Sequence, residues 1–327
     1  MADTNAMKAA LEGWVGERRG AASDVVEFRQ LTAGHSRAMW YLELADGERL
    51  VVRIEQGGVF GISGAQEYRF MEAALQLGFP VATVRWSEPT GDVIGQPFFV
   101  MDFLPCATAE REDRTLPASV AEDFVRQLHG LHETPWDGVL MTDTAPADAT
   151  HAHIDRWAAV YRASTPIPIP LLEEGAVWLH RHAPALQRSS IVHGDPGPGN
   201  FVHDGVGVVA FTDWEFAHLG DPMEDWAYVI GMRGMRSMPR EAWRTLFREI
   251  AGVEVTDADL RYWGAFGYFK GACANLSCLG AFAGANPTPN MAIIGTALQQ
   301  TFMRQLADLV LGSERGRASG RRVDVAR

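Results

Sequence analysis

A chain of 327 residues with 47% hydrophobic and 21% charged positions is long enough to bury more than one core and has an ordinary globular composition. Its net charge of −12 argues against non-specific nucleic-acid binding, which needs a basic surface to displace counterions, and is best read as a solubilising surface. Cys106, Cys273 and Cys278 lack zinc-type spacing, and the sequence shows neither a long apolar run nor a basic-then-apolar leader, so a cytoplasmic protein with reduced thiols and no membrane partner is expected.

In chain order, Met7, Ala10, Leu11, Trp14 and Val15 share one face of a predicted amphipathic helix over residues 4–19. Residues 25–31 and 38–44 read as strands on either side of Thr32-Ala-Gly-His-Ser36, and Asp46-Gly47 turns the chain into a third strand, 49–54. There Leu50, Val52 and Ile54 take one face and Arg53 the other. The next predicted helix, 63–77, places Glu67 at the head of the stripe Phe70, Met71 and Ala74, with Glu72 turned away to solvent. A buried carboxylate needs a partner, and Arg53 is the natural candidate for Glu67.

Gly78-Phe-Pro80 stops that helix, and two more strands are expected at 81–86 and 97–104. Beyond Pro105 the pattern turns helical, with helices expected at 119–131, 153–161, 171–182, 224–232, 241–250, 259–279 and 293–311, and loops at 142–150 and 164–170. The remaining histidines, among them His129, His132 and His153, show no ligand spacing, and the basic, Gly/Ser-interrupted segment 313–327 is expected to be a disordered tail. Asp221-Pro-Met-Glu224 fits a helix capping box, with Asp221 as the cap and Glu224 returning to it.

The most informative stretch is Ser190-Ile-Val-His-Gly-Asp-Pro-Gly-Pro-Gly-Asn-Phe-Val202 with Thr212-Asp-Trp-Glu215. Ile191 and Val192 lead into a Pro/Gly loop that can be neither helix nor central strand. The spacing of His193, Asp195 and Asn200 is that of the catalytic loop of kinase-type phosphotransferases, in which the Asp takes the proton of the attacking hydroxyl and the Asn holds magnesium. Two apolar runs separated by Asp204-Gly205 predict a tight hairpin, which returns Asp213 beside that loop. One carboxylate, one amide oxygen and the phosphates of a nucleotide would then satisfy a magnesium ion.

With His193-Gly-Asp195…Asn200, Asp213-Trp-Glu215, Gly220-Asp-Pro222 and Asp225 in view, the chain resembles the aminoglycoside phosphotransferase family, also called the phosphotransferase enzyme family. The resemblance implies an α+β, bilobal, protein-kinase-like fold, with a small β-rich lobe over residues 1–103, a hinge near 97–105 and a large, mainly helical lobe over 104–312. It implies Asp195 as catalytic base, Asn200 and Asp213 as magnesium ligands, and Asp225 as a scaffold for the catalytic-loop backbone. In the small lobe it implies a phosphate-covering turn at Gly34 and Ser36, an Arg53–Glu67 pair holding phosphates, and purine recognition by backbone near Met101 and Phe103. Families of this fold carry lysine where this chain has Arg53, and branches related to domains attached to certain acyl-CoA dehydrogenases look similar in this respect.

The expected function is therefore magnesium-dependent transfer of the terminal phosphate of ATP or GTP to a small hydroxylated acceptor, an antibiotic or a metabolite. Gly194 stands where protein kinases carry the arginine that reads a phosphorylated loop, and Asp221 follows Asp213 too closely for a long regulatory segment. The competing expectation is a nucleotide-binding protein without transfer activity, suggested by Arg53 and the glycine-poor turn. The aromatic set Tyr262, Trp263, Phe266, Tyr268 and Phe269 is expected to be mostly core, with a part in an acceptor wall left open.

Overall fold

The structure is a computed structural model that describes residues 4–318 except 22, 32–36, 56–58, 106, 109–114, 141–145, 187 and 285–288. The expectations for Gly34, Ser36 and Cys106 therefore fall outside the described residues. The N-terminal part is a five-stranded antiparallel sheet of β1 (Val25–Gln30), β2 (Arg37–Leu44), β3 (Arg49–Glu55), β4 (Val84–Glu88) and β5 (Phe98–Asp102), in the order β1-β2-β3-β5-β4. Helix α1 (Thr4–Arg19) covers one face with Leu11, Trp14 and Val15 against Leu50, Val52 and Ile54. Burying one such side chain contributes about 1.5–3 kcal/mol, enough to fix which face β3 turns inward.

The opposite face packs on α2 (Gly64–Gln76), where Phe70 and Ala74 meet Phe99. Ser63 caps α2 by accepting from the Gln66 N–H, and Gly78, at φ +76°, ends it. This packing puts Arg53 of β3 and Glu67 of α2 in the same layer. The strand expected at 81–86 begins later, at Val84, while Val81 makes a lone bridge to Phe211 of the C-terminal part.

After β6 (Ala107–Thr108) the chain is mainly helical: α3 (Ala118–Glu133), α4 (Ala149–Ser164) and α5 (Pro170–His182) precede the short strands β7 (Ser190–Val192), β8 (Phe201–His203), β9 (Val208–Phe211) and β10 (His218–Gly220). Then come α6 (Met223–Tyr228), which runs on through a π-type turn to Arg233, α7 (Arg240–Leu246), α8 (Asp257–Ala283), α9 (Pro289–Ala297) and α10 (Gln299–Ala318). The architecture is α+β, with a β-sheet N-terminal region and a mainly helical C-terminal part. No helix among the described residues is long and apolar enough to cross a membrane.

Several boundaries differ from the sequence expectation. Residues 149–150, expected in a loop, begin α4; the single helix expected over 293–311 is two, broken at Leu298; and α10 carries the chain through residues 313–318, which had been assigned to the tail. Helix α8 runs through the middle of the large core. Phe266, Phe269 and Trp263 are buried there against α4, α5 and α10, as expected of rings that are mostly core.

Candidate functional site

Buried Ile191 and Val192 anchor β7 in the core, and β10 pairs with it, His218 opposite Val192 and Leu219 opposite Ile191. The loop that leaves β7 is held by its backbone. Asp225 of α6, fully buried, accepts from the N–H groups of His193 and Gly194, both at 2.8 Å, and pairs with His132 Nε2 at 2.9 Å. From the other side the Lys270 ammonium donates to the Gly194 carbonyl at 2.6 Å. Gly194 has φ +83°, and a Cβ there would lie 2.5 Å from the Phe216 carbonyl oxygen, so the position before Asp195 admits only glycine. His193 is an anchor in this frame: its ring is fully buried, its Nε2 lies 3.1 Å from the Thr212 carbonyl, and burial lowers its pKa.

Asp195, Asn200 and Asp213 come together as the spacing predicts. Asn200 Nδ2 donates to both the carbonyl and the Oδ2 of Asp195, at 2.8 and 2.7 Å. The Thr212 N–H donates to the Asn200 carbonyl at 2.9 Å, which brings the next residue, Asp213, alongside. The hairpin between β8 and β9 is looser than the expected two-residue turn. Asp204 Oδ1 accepts from the N–H groups of Val206 and Gly207, and Val206, expected in a strand, is exposed in the connecting loop. Asp213 itself sits in the left-handed region at φ 62°, ψ 59°, a strained backbone that aspartate tolerates better than most residues.

Arg53 joins the two halves of the site. It lies 2.9 Å from Glu67 Oε1, 2.7 Å from Asp213 Oδ1 and 3.9 Å from Glu215 Oε2. Burial alone would depress its guanidinium, but the charges of Glu67, Asp213 and Glu215 outweigh that and raise its pKa. Burial works against ionisation of Asp213, and the Arg53 charge overcomes it, leaving the carboxyl below its usual range. Glu67, 1% exposed, also faces Arg37 at 3.5 Å. The sequence reading found the Arg53–Glu67 pair and missed Arg37.

It also missed the groups around Asp195. Arg233, at the end of the π-type turn, pairs with both carboxylate oxygens, its Nε 3.1 Å from Oδ1 and its Nη2 on Oδ2. Gly197 makes this approach possible: at φ +132°, a Cβ there would fall 2.6 Å from Arg233 Cγ. Tyr228, half-buried, stands beside Asp195, and desolvation together with that carboxylate pushes its phenol well up. No residue of the 196–199 loop is charged, so the positive charge at Asp195 comes from 38 positions away. At the predicted hinge, Met101 lies in the ladder opposite Val51 and Val84, and the Phe103 N–H is already donated to the Arg49 carbonyl. That amide is thus engaged within the protein.

The capping-box reading of Glu224 is overturned. Asp221 does cap, accepting from the Met223 N–H at 2.8 Å, but Glu224 is buried with Lys270 at 2.7 Å, His218 at 3.2 Å and His153 at 3.8 Å. Lys270 and His218 overcome the burial penalty and hold its carboxyl far below the usual range. His153 and His218 stack at 3.7 Å, and with Glu224 they bring three donor atoms within 4.8 Å of one another. The cluster resembles a metal set, yet Lys270 already supplies the positive charge a cation would bring.

Comparison with known proteins agrees with the fold. The model of the phosphotransferase enzyme family matches residues 27–270. The chain belongs to that family. The mouse protein acyl-CoA dehydrogenase family member 10 is 28% identical to this family member over 237 residues, 68% of the chain but 22% of the mouse protein. The chain thus spans about a fifth of that relative's length. Among solved structures, a candidate aminoglycoside phosphotransferase from Ralstonia eutropha superposes with a TM-score of 0.67 at 22% identity, covering 93% of this chain and 98% of the other. A thermostable aminoglycoside phosphotransferase mutant in complex with ADP and hygromycin B gives a TM-score of 0.59 at 15% identity, covering 90% and 98%. At these identities the structural likeness speaks for the kinase-like fold.

Proposed function

We propose that this family member is a magnesium-dependent phosphotransferase that moves the terminal phosphate of ATP or GTP to a hydroxyl of a small molecule. The observation that carries the reading is the convergence of Asp195, Asn200 and Asp213 with the Arg53–Glu67 pair in one hydrogen-bonded and ion-paired site. Asp195 orients the acceptor hydroxyl and takes its proton; Asn200, Arg233 and Tyr228 hold the carboxylate in place for that task. Arg53 grips the phosphates, and Glu67 holds its guanidinium in line.

The residues fit a magnesium ion. Asn200 spends its amide nitrogen on Asp195, which leaves its side-chain oxygen as a ligand, and Asp213 gives Oδ1 to Arg53 while Oδ2 carries no hydrogen bond among the described residues. Asn200 and Asp213 would hold the ion, which would draw negative charge from the phosphates. Aminoglycosides, sugars, choline-like alcohols and hydroxyacyl compounds are the acceptors to test. The experiment is transfer from ATP or GTP with magnesium across such a panel, in the native protein and in Asp195→Asn. The variant is expected to lose transfer while keeping its nucleotide affinity. Full activity in Asp195→Asn would remove Asp195 from the chemistry. Nucleotide binding with no transfer to any acceptor would leave a nucleotide-binding protein in place of an enzyme.

A further inference from the structure

A cavity of about 490 Å³ lies between α2, α4 and β10, at the end of β7 opposite the Asp195 loop. That volume is in the range of small-molecule sites. Two arginines, Arg69 and Arg156, and two histidines, His153 and His218, line it, and among the described residues no Asp or Glu does, in a chain that carries 41 acidic residues against 29 lysines and arginines. Phe70, Trp136 and Leu219 add an apolar wall. None of Arg53, Asp195, Asn200 or Asp213 reaches it.

Arg156 is the telling residue. It is half-buried on α4, makes no ion pair among the described residues, and its Nη2 is buried without an acceptor. Every other buried or half-buried cation discussed above has a carboxylate: Arg37 and Arg53 have Glu67, Arg233 has Asp195, and Lys270 has Glu224. Burial with nothing to offset it lowers the Arg156 pKa. A buried donor without a partner is costly, and a cavity lined by cations without anions is the arrangement that an anionic ligand completes.

We propose that this cavity binds a small organic anion, a phosphate or carboxylate on an apolar or aromatic body, at a site separate from the catalytic cleft. Arg156 and Arg69 receive the anionic group, and Phe70, Trp136 and Leu219 receive the body. The ligand would bridge the two parts of the molecule, because Gln66, Arg69 and Phe70 lie on α2 while His153 and Arg156 lie on α4. Glu67 stands on the same turn of α2, so clamping this helix also steadies the carboxylate that holds Arg53.

The test is calorimetric titration of the full chain with inorganic phosphate, phenyl phosphate and phenylacetate, in the presence of saturating magnesium-ADP to block the nucleotide cleft. One equivalent of phenyl phosphate or phenylacetate is expected to bind, and the stronger of the two tells which anionic group the site prefers. Arg156→Gln, and Ala152→Leu, which fills the cavity, should each weaken binding at least tenfold. Removing an unpaired charge should leave the melting temperature of Arg156→Gln equal or higher. Should that variant fail to fold, Arg69→Gln, changed at an exposed position of α2, takes its place, with at least a threefold loss expected. Absence of binding by all three probes, or unchanged affinity in the variants, would overturn the proposal. Its result is independent of whether phosphate transfer occurs.

Discussion

Replacing Asp225 with asparagine separates the frame of the Asp195 loop from the chemistry proposed for it. Asp225 is fully buried and uses both oxygens, Oδ1 for the Gly194 N–H and Oδ2 for the His193 N–H and His132 Nε2. Asparagine keeps the shape and one acceptor, but its amide nitrogen must then face at least one backbone N–H. A buried donor left unsatisfied costs about 1–3 kcal/mol, so Asp225→Asn should lose about that much stability. Asp225→Ala strands both amides and should lose about 2–6 kcal/mol, a large part of a typical total of about 5–15 kcal/mol. Asp195 directly follows the nearer of these amides, that of Gly194, and a misplacement of about 1 Å at a reacting group can cost about a hundredfold in rate. Asp225→Asn is therefore expected to lower kcat at least tenfold with little change in nucleotide affinity. The assay is urea unfolding for stability, hydrogen exchange at His193 and Gly194, and steady-state transfer kinetics. Wild-type stability and kcat, with unchanged exchange at those two amides, would show that something other than Asp225 holds the loop.

The remaining predictions concern buried charge. Lys270→Met leaves Glu224 without its ammonium at 2.7 Å, and breaking a buried pair costs about 3–5 kcal/mol, to be read as a shift in urea midpoint. Adding Glu224→Met should restore part of that loss, and no recovery would show that the pair does not account for it. In a double-mutant cycle on transfer rate, Arg53→Ala and Glu67→Ala should couple by about 0.5–3 kcal/mol; strict additivity would mean the two act independently.

The shape of the Asp195 loop was legible because its information is local. Pro/Gly composition dictates an irregular loop, Ile191 and Val192 dictate the strand that feeds it, and a hairpin of any length returns Asp213 to its side. The Arg53–Glu67 pair was legible for a related reason: strand alternation and helical spacing each place one charge on a face that must be covered. What the sequence hid are partners supplied by tertiary packing. Arg233 reaches Asp195 only because α6 runs on through a π-type turn and Gly197 clears the way, and neither device has a periodic signature. Glu224 satisfied a local rule at the third position of a helix, but burial beside Lys270 and His218 decides its role. Helix α8 is apolar over most of its circumference, so its pattern could not tell a core helix from one lining a pocket. The break at Leu298 escaped because apolar residues continue on both sides of it.

The arginine at position 53 follows from the same packing. Three carboxylates, Glu67, Asp213 and Glu215, surround it within 3.9 Å. A lysine ammonium is a compact point charge at the end of a flexible stem, whereas the guanidinium is a rigid fork that presents separate nitrogens to separate oxygens. Here Nε meets Glu67 while Nη2 meets Asp213, so one side chain ties α2 to the segment just after β9. The link joins the sheet of the N-terminal part to the segment of the C-terminal part that lies beside the Asp195 loop. Against the lysine that the family resemblance implies here, arginine keeps the positive charge, and its fork reaches Glu67 and Asp213 with separate nitrogens.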